Sequence, residues 1–177
     1  MRSLQNVVVA CVAFCLLPSC KEKTTWSEYT SKDAGFTVFM PTHPARTDGK
    51  VGKQTIHYVT WKPTTFALDK FKLFQVSYTD YPGFVNSDSV RLNALLDSSI
   101  NTRKKDFTEL DVDSEPITLN GYPGRAFMYQ TDRGNTITIV KECLVGSRVY
   151  DLTVIAKKDY PTNDEMNKFF NSFQVLR

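Results

Sequence analysis

His43 and His57 are the two imidazoles of the sequence, and so its candidates for acid–base or metal-ligand chemistry near neutral pH. His43 sits in a proline-rich stretch and His57 in an alternating run, without the close spacing of a metal-binding pair. A two-histidine metal site and packed or surface imidazoles are both open to them; the spacing favours the second. Asp111, Asp113 and Glu115 alternate and could share one strand face as a weak cation site. The full spacing of a calcium loop is missing, so they read as a solvated strand edge. Cys143 also lies in an alternating run, where a lone cysteine is usually a small buried apolar residue. A nucleophile there would need an activating base, and none is visible nearby. From residue 20 onward there is no Gly-x-Ser-x-Gly elbow, phosphate-binding glycine loop, Cys-x-x-Cys pair or zinc helix. No catalytic residue, no metal and no cofactor are expected.

The chemistry with the clearest pattern lies at the start of the chain. Met1 and Arg2 form a short positive region, followed by an apolar run over residues 7–17. That run falls short of the about 20 residues a membrane-spanning helix needs, and has the length of a signal-peptide core. It ends in Leu17-Pro18-Ser19-Cys20, which resembles the bacterial lipobox, with a branched apolar residue three before the cysteine and a small residue just before it. Pro18 is a less usual middle residue. The resemblance implies that Cys20 is alkylated by a diacylglycerol, that the chain is cut before it, and that the new amine is acylated. The competing reading is an ordinary export signal with a chance cysteine. Two or three acyl chains on one residue would make a lasting anchor, at about 0.8 kcal/mol per buried CH₂. Residues 1–19 are therefore expected as a signal peptide, 20–27 as a lipidated tether and 28–177 as a single domain in the cell envelope, periplasmic or surface-exposed.

Removing the signal changes the arithmetic. Cys11 and Cys15 leave with it and Cys20 is spent on lipid, so Cys143 has no partner for an intramolecular disulfide. Arg2 is one of 22 basic residues set against 19 acidic ones, so the remainder is nearly neutral. Such a balance gives no electrostatic footprint for nucleic acid. The cluster Arg103-Lys104-Lys105 reads as a helix end, where cations complement the dipole.

The elements that would position any site follow from periodicity. Phe36, Val38 and Met40 alternate before Pro41 and predict a first strand; residues 41–53, with two prolines, two glycines and several charges, predict a loop. Residues 54–61 and 70–79 predict two more strands, the first apolar on both faces, the second with Phe74, Val76 and Tyr78 on one side. Leu92, Leu95, Leu96, Ser99 and Ile100 change the period to that of an amphipathic helix over 88–103, with Asp88 as N-cap. Four strands follow over 114–119, 122–131, 136–145 and 148–156, joined by turns that include Asn120-Gly121 and Gly146-Ser147. Thr162 and Glu165 have capping-box spacing, and Met166, Phe169, Phe170 and Phe173 make an apolar helical stripe. The expected class is α+β, an antiparallel sheet of about six to seven strands sandwiched by helices, because strands apolar on both sides need cover on both faces.

Several quoted segments carry a resemblance: Gly35-Phe36-Thr37-Val38-Phe39-Met40-Pro41 with Pro44, Asn120-Gly121-Tyr122-Pro123-Gly124-Arg125, Val145-Gly146-Ser147-Arg148-Val149-Tyr150-Asp151-Leu152, and Phe169-Phe170-Asn171-Ser172-Phe173. The pattern is similar to small exported bacterial lipoproteins of the PsbP/Mog-like group, including DcrB-like proteins, over most of residues 26–177. It is a pattern of strands and turns, and no functional residue carries over with it. The resemblance implies an antiparallel sheet between helices and a role in binding or assembly.

The expectation is a non-catalytic, monomeric binding or assembly module, held to the membrane through the Cys20 lipid and meeting an envelope protein. The alternative is a small cell-envelope enzyme whose site is assembled from distant residues. Phe66, Tyr81 and Phe84, set on connections around the third strand, are the candidate partner-binding residues. The competing reading has these rings folding back as lids over the sheet ends.

Overall fold

The structure is a computed structural model that describes residues 24–64, 70–82, 89–106, 113–131, 133–159 and 164–176. Cys20, Phe66, Phe84, Asp88, Asp111 and Thr162, each given a role above, lie outside those residues.

In chain order the elements are β1 (Trp26–Ser31), β2 (Phe36–Pro41), β3 (Ala45–Val51), β4 (Gln54–Trp61), β5 (Phe71–Asp80), α1 (Ser89–Asp106), β6 (Asp113–Leu119), β7 (Tyr122–Thr131), β8 (Thr136–Val145), β9 (Arg148–Lys157), α2 (Asp164–Ser172) and β10 (Gln174–Val175). A seven-stranded sheet runs β3-β4-β5-β9-β8-β7-β6, and a three-stranded one runs β1-β2-β10. Every pairing is antiparallel.

Register sorts the side chains of the large sheet onto two faces. Tyr78, Val76 and Phe74 of β5 stand opposite Tyr150, Leu152 and Val154 of β9, and Cys143 of β8 opposite Tyr150. These residues share one core with Phe36, Val38 and Met40 of β2 and with Met166, Phe169, Phe170 and Phe173. The i, i+3, i+4 stripe of α2 is thus a docking face. Each large side chain it buries contributes about 1.5–3 kcal/mol, and Asp164 and Glu165 suit the positive end of its dipole. The Ser172 hydroxyl accepts the Phe39 N–H at 2.8 Å, fixing α2 to β2.

The opposite face meets α1. Leu96 packs with Leu144 and Val149, and Ile100 with Phe127 and Val140. Two polar struts reinforce this contact. The Ser99 hydroxyl lies 2.8 and 2.9 Å from the carboxylate oxygens of fully buried Glu142. Arg125 donates to Asp97 at 3.2 Å and to Asn93 at 2.9 Å.

The α+β class holds, with three corrections. Residues 41–53 are not all loop: β3 occupies most of them as an edge strand, its side chains almost all exposed. β1 opens at Trp26, inside the stretch read as tether, and β10 is a further short strand. The core face is therefore covered by the small sheet as well as by α2, rather than by helices alone. The Asn120-Gly121 hairpin has the expected positive φ values, 54° and 81°.

Candidate functional site

Two polar arrangements flank the sheet, and their roles separate on geometry. The first surrounds the β1–β2 turn. The Ala34 carbonyl, wholly buried, accepts the Tyr150 hydroxyl at 2.6 Å and an Arg148 N–H at 2.8 Å. Arg148 also donates twice to Asp80, at 2.7 and 2.9 Å, and lies over the Tyr78 ring. Arg46 pairs with Asp33, whose carboxylate accepts the Ser31 hydroxyl at 2.8 Å. His57 stacks on Tyr78 and its Nδ1 lies 2.7 Å from Asp48 Oδ1. This network latches the small sheet onto β3, β5 and β9, which is a structural task.

Its titration has a definite sign. Hydrogen bonds from Arg46 hold the Asp33 carboxyl well below its ordinary value, and Arg148 lowers Asp80 likewise; burial raises the Tyr78 and Tyr150 phenols. Carboxyls lowered from 3.8 in the fold take up protons later than those of the unfolded chain. The stabilisation they supply is complete above the unfolded value and is lost as pH falls through the folded one. Both pairs are partly solvated, so the effect is modest. The double variant Asp33→Asn, Asp80→Asn is expected to lose less melting temperature between about pH 6 and pH 3 than the unaltered chain. The difference should be small, because both pairs lie at the surface where water screens them. Parallel curves in a thermal melt would show that the pairs add nothing.

The second arrangement is a cavity of about 420 Å³ on the other face, lined by His43, Ala45, Thr47, Tyr58, Thr60, Lys62 and Gln75. Strand pairing assembles it: Ala45 stands opposite Thr60 and Thr47 opposite Tyr58, while Thr60 pairs across to Gln75. Their chain neighbours Val59 and Val76 turn into the core instead. His43, just before β3, takes a left-handed φ of 61°, a conformation uncommon outside glycine. Lys62, just after β4, closes the same open end of the hairpin. The Gln75 amide donates to the Thr60 hydroxyl at 2.8 Å, leaving the Thr60 proton free to point elsewhere. Among the described residues, no hydrogen bond or ion pair engages the side chains of His43, Thr47, Tyr58 or Lys62. Polar groups with unspent bonding capacity around a concave surface are what a ligand site requires.

The residues singled out from sequence fall elsewhere. The two histidines are not brought together: His43 lines the cavity and His57 belongs to the latch on the opposite face. Among the described residues no three His, Cys, Asp or Glu side chains gather as a metal site; Glu115 lies exposed on β6. Tyr81 is half-buried against Leu95, Leu96, Leu144 and Val149, and its backbone N–H donates to the Ser147 carbonyl at 2.7 Å. That is the position of a lid over the sheet end. Cys143 is fully buried, and desolvation, aided by the carboxylates of Asp151 and Glu142, pushes its thiol up to about 12. It stays protonated and unreactive at neutral pH.

Fold and site together define an α+β domain of PsbP-like architecture, an antiparallel sheet with a polar cavity near one edge. The solution structure of cyanobacterial PsbP (CyanoP) from Synechocystis sp. PCC 6803 is similar to it, with a TM-score of 0.53 at 10% identity over 90% of this chain and 98% of that one. A crystal structure from Bacteroides thetaiotaomicron VPI-5482 aligns with a TM-score of 0.44 at 12% identity, over 85% of this chain and 48% of that one. No family model matches the chain, and no curated protein matches it.

Proposed function

We propose that this protein is a cell-envelope lipoprotein, anchored through Cys20, that works as a non-catalytic binding or assembly module, with the cavity as its ligand-contacting surface. The observation that carries the reading is the set of polar side chains around that cavity, His43, Thr47, Tyr58 and Lys62, that have no partner among the described residues. Its position supports the anchor as well. The Thr42 N–H bonds to the Thr25 carbonyl at 2.9 Å, so His43 lies beside the point where the chain enters the domain, five residues beyond Cys20. No helix among the described residues is long and apolar enough to cross a membrane, so attachment through lipid falls to Cys20 in this reading.

A photo-crosslinking residue placed at Thr47 should capture a partner in native membranes, whereas the same residue at Glu115 on the far edge of the sheet should not. Equal capture from both positions, or none from Thr47, would remove the cavity from the binding surface. One observation favours a small enzyme instead, the His57–Asp48 contact. That pair is part of the latch, and among the described residues no Ser, Thr or Cys side chain hydrogen-bonds to its imidazole.

A further inference from the structure

We infer that the cavity binds the phosphate group of a phosphate ester, an inference that rests on the cavity being the binding surface and names what it takes. Among the described residues the charged group of the lining is a cation, and its other polar groups can all donate. Among the described residues, Lys62 supplies an ammonium with no acidic partner, and no Asp or Glu lines the cavity. Asp48, next to Thr47, faces the other way and meets His57; on the cavity's own face the carboxylate of Asp151 stands two strands from Tyr58, beyond Ser77, whose hydroxyl it meets at 3.5 Å. Three further groups that can donate line the cavity, the His43 imidazole and the hydroxyls of Thr47 and Thr60, the last with its proton free because it accepts from Gln75, while the Tyr58 ring leans over Gly49. A site of donors without acceptors of negative charge selects an oxyanion.

The arrangement of the donors narrows the class. They come from β3, from β4 and from the chain on either side at the open end of the hairpin, so they are dispersed over the cavity wall and not set as one planar fork. A carboxylate is best met by the planar fork of an arginine; a tetrahedral phosphate accepts dispersed donors and a lysine point charge. The volume, about 420 Å³, lies within the range of small-molecule sites and exceeds what a bare anion would fill. The Tyr58 ring and Ala45 offer apolar surface to the organic part of an ester.

Two sources could present such a group, a soluble phosphate ester or a phospholipid headgroup. Placement favours the headgroup. Thr25 is five positions beyond Cys20, a span of at most about 17 Å fully extended. A lipid on Cys20 would therefore hold the cavity within reach of the bilayer surface.

The two histidines of the chain make the test clean, because His43 is in the cavity and His57 on the other face serves as internal control. Full-length protein with labelled histidine, held in a maltoside detergent free of phosphate, is titrated with glycerol 3-phosphate while the imidazole resonances are followed by NMR. The His43 signals should move saturably and its titration should shift to higher pH, with His57 unmoved. Lys62→Gln, a change at an exposed position, should weaken the response about tenfold, as loss of one charged hydrogen bond does. Nanodiscs of phosphatidylglycerol and of galactolipid then separate the sources. Saturation of His43 by the first and not the second assigns the headgroup, and a response to glycerol 3-phosphate alone assigns a soluble ester. An equal response to acetate, a response shared by His57, an undiminished response in Lys62→Gln, or no response in any arm would overturn the proposal. Crosslinking from Thr47 that persists without a His43 response would leave the binding reading standing and remove phosphate from it.

Discussion

Gly124→Ala is expected to cost about 3 kcal/mol or more, lowering the melting temperature by roughly 6–12 °C, although it adds a single methyl group. Gly124 pairs with Cys143 in the β7–β8 ladder. A Cβ there would stand 2.0 Å from the Glu142 carbonyl oxygen, 3.1 Å from its carbon and 3.3 Å from the Cys143 Cα. All three are backbone atoms in a central strand and cannot swing aside as a side chain would. The ladder has to part locally, and it parts beside Glu142, whose carboxylate meets Ser99 and so ties α1 to the sheet. Gly121→Ala supplies the comparison. That position has a positive φ of 81° but open space around the missing Cβ, so the cost is conformational and about 1 kcal/mol. Equal losses in circular-dichroism melts of the two variants would contradict the close backbone approach at Gly124.

The parts of the fold legible in the sequence are those where burial imposes a period. In β9, Tyr150, Leu152, Val154 and Ala156 alternate on the core face, and β5 places Phe74, Val76 and Tyr78 there too; both strands were written in the alternation. The α2 stripe was equally plain, since Met166, Phe169 and Phe170 are buried at helical spacing. The strands that escaped bury little, and the apolar side chains that β1 sets against the core are Trp26 and Tyr29. β3 is exposed along almost its whole length and β1 along much of its, so both are held by backbone pairing with β4 and β2 rather than by a hydrophobic pattern. Pairing leaves no mark on composition.

The same gap hid the cavity. Its walls exist only once β3 is a strand in register with β4, because that pairing sets Thr47 beside Tyr58. Read alone, Tyr58 counted as an apolar residue of a two-faced strand. A signal was present in hindsight: Thr60 and Gln75 are polar residues facing away from the apolar side of their strands, too regularly for a face packed under a helix. Tyr81 was open to two readings, an exposed anchor on a loop or a lid over the sheet end; its packing on Leu144 and Val149, with its backbone N–H bonded to Ser147, matches the lid.

The second large effect concerns Cys20, on which the proposed anchoring depends. If the thiol carries the lipid, Cys20→Ser removes both the acylation site and the residue before which the leader is cut. A single change would then convert a protein retained by two or three acyl chains into one with no lasting hold on the bilayer, since anchoring energy scales with buried CH₂ groups at about 0.8 kcal/mol each. The direct measurement is metabolic labelling with palmitate in a bacterium carrying the full chain, followed by separation of membranes after a high-salt wash. The unaltered protein should carry the label and stay with the membranes at its processed size, while Cys20→Ser should carry none and retain its leader. Label persisting in the Cys20→Ser protein, or absent from the unaltered one, would contradict the account.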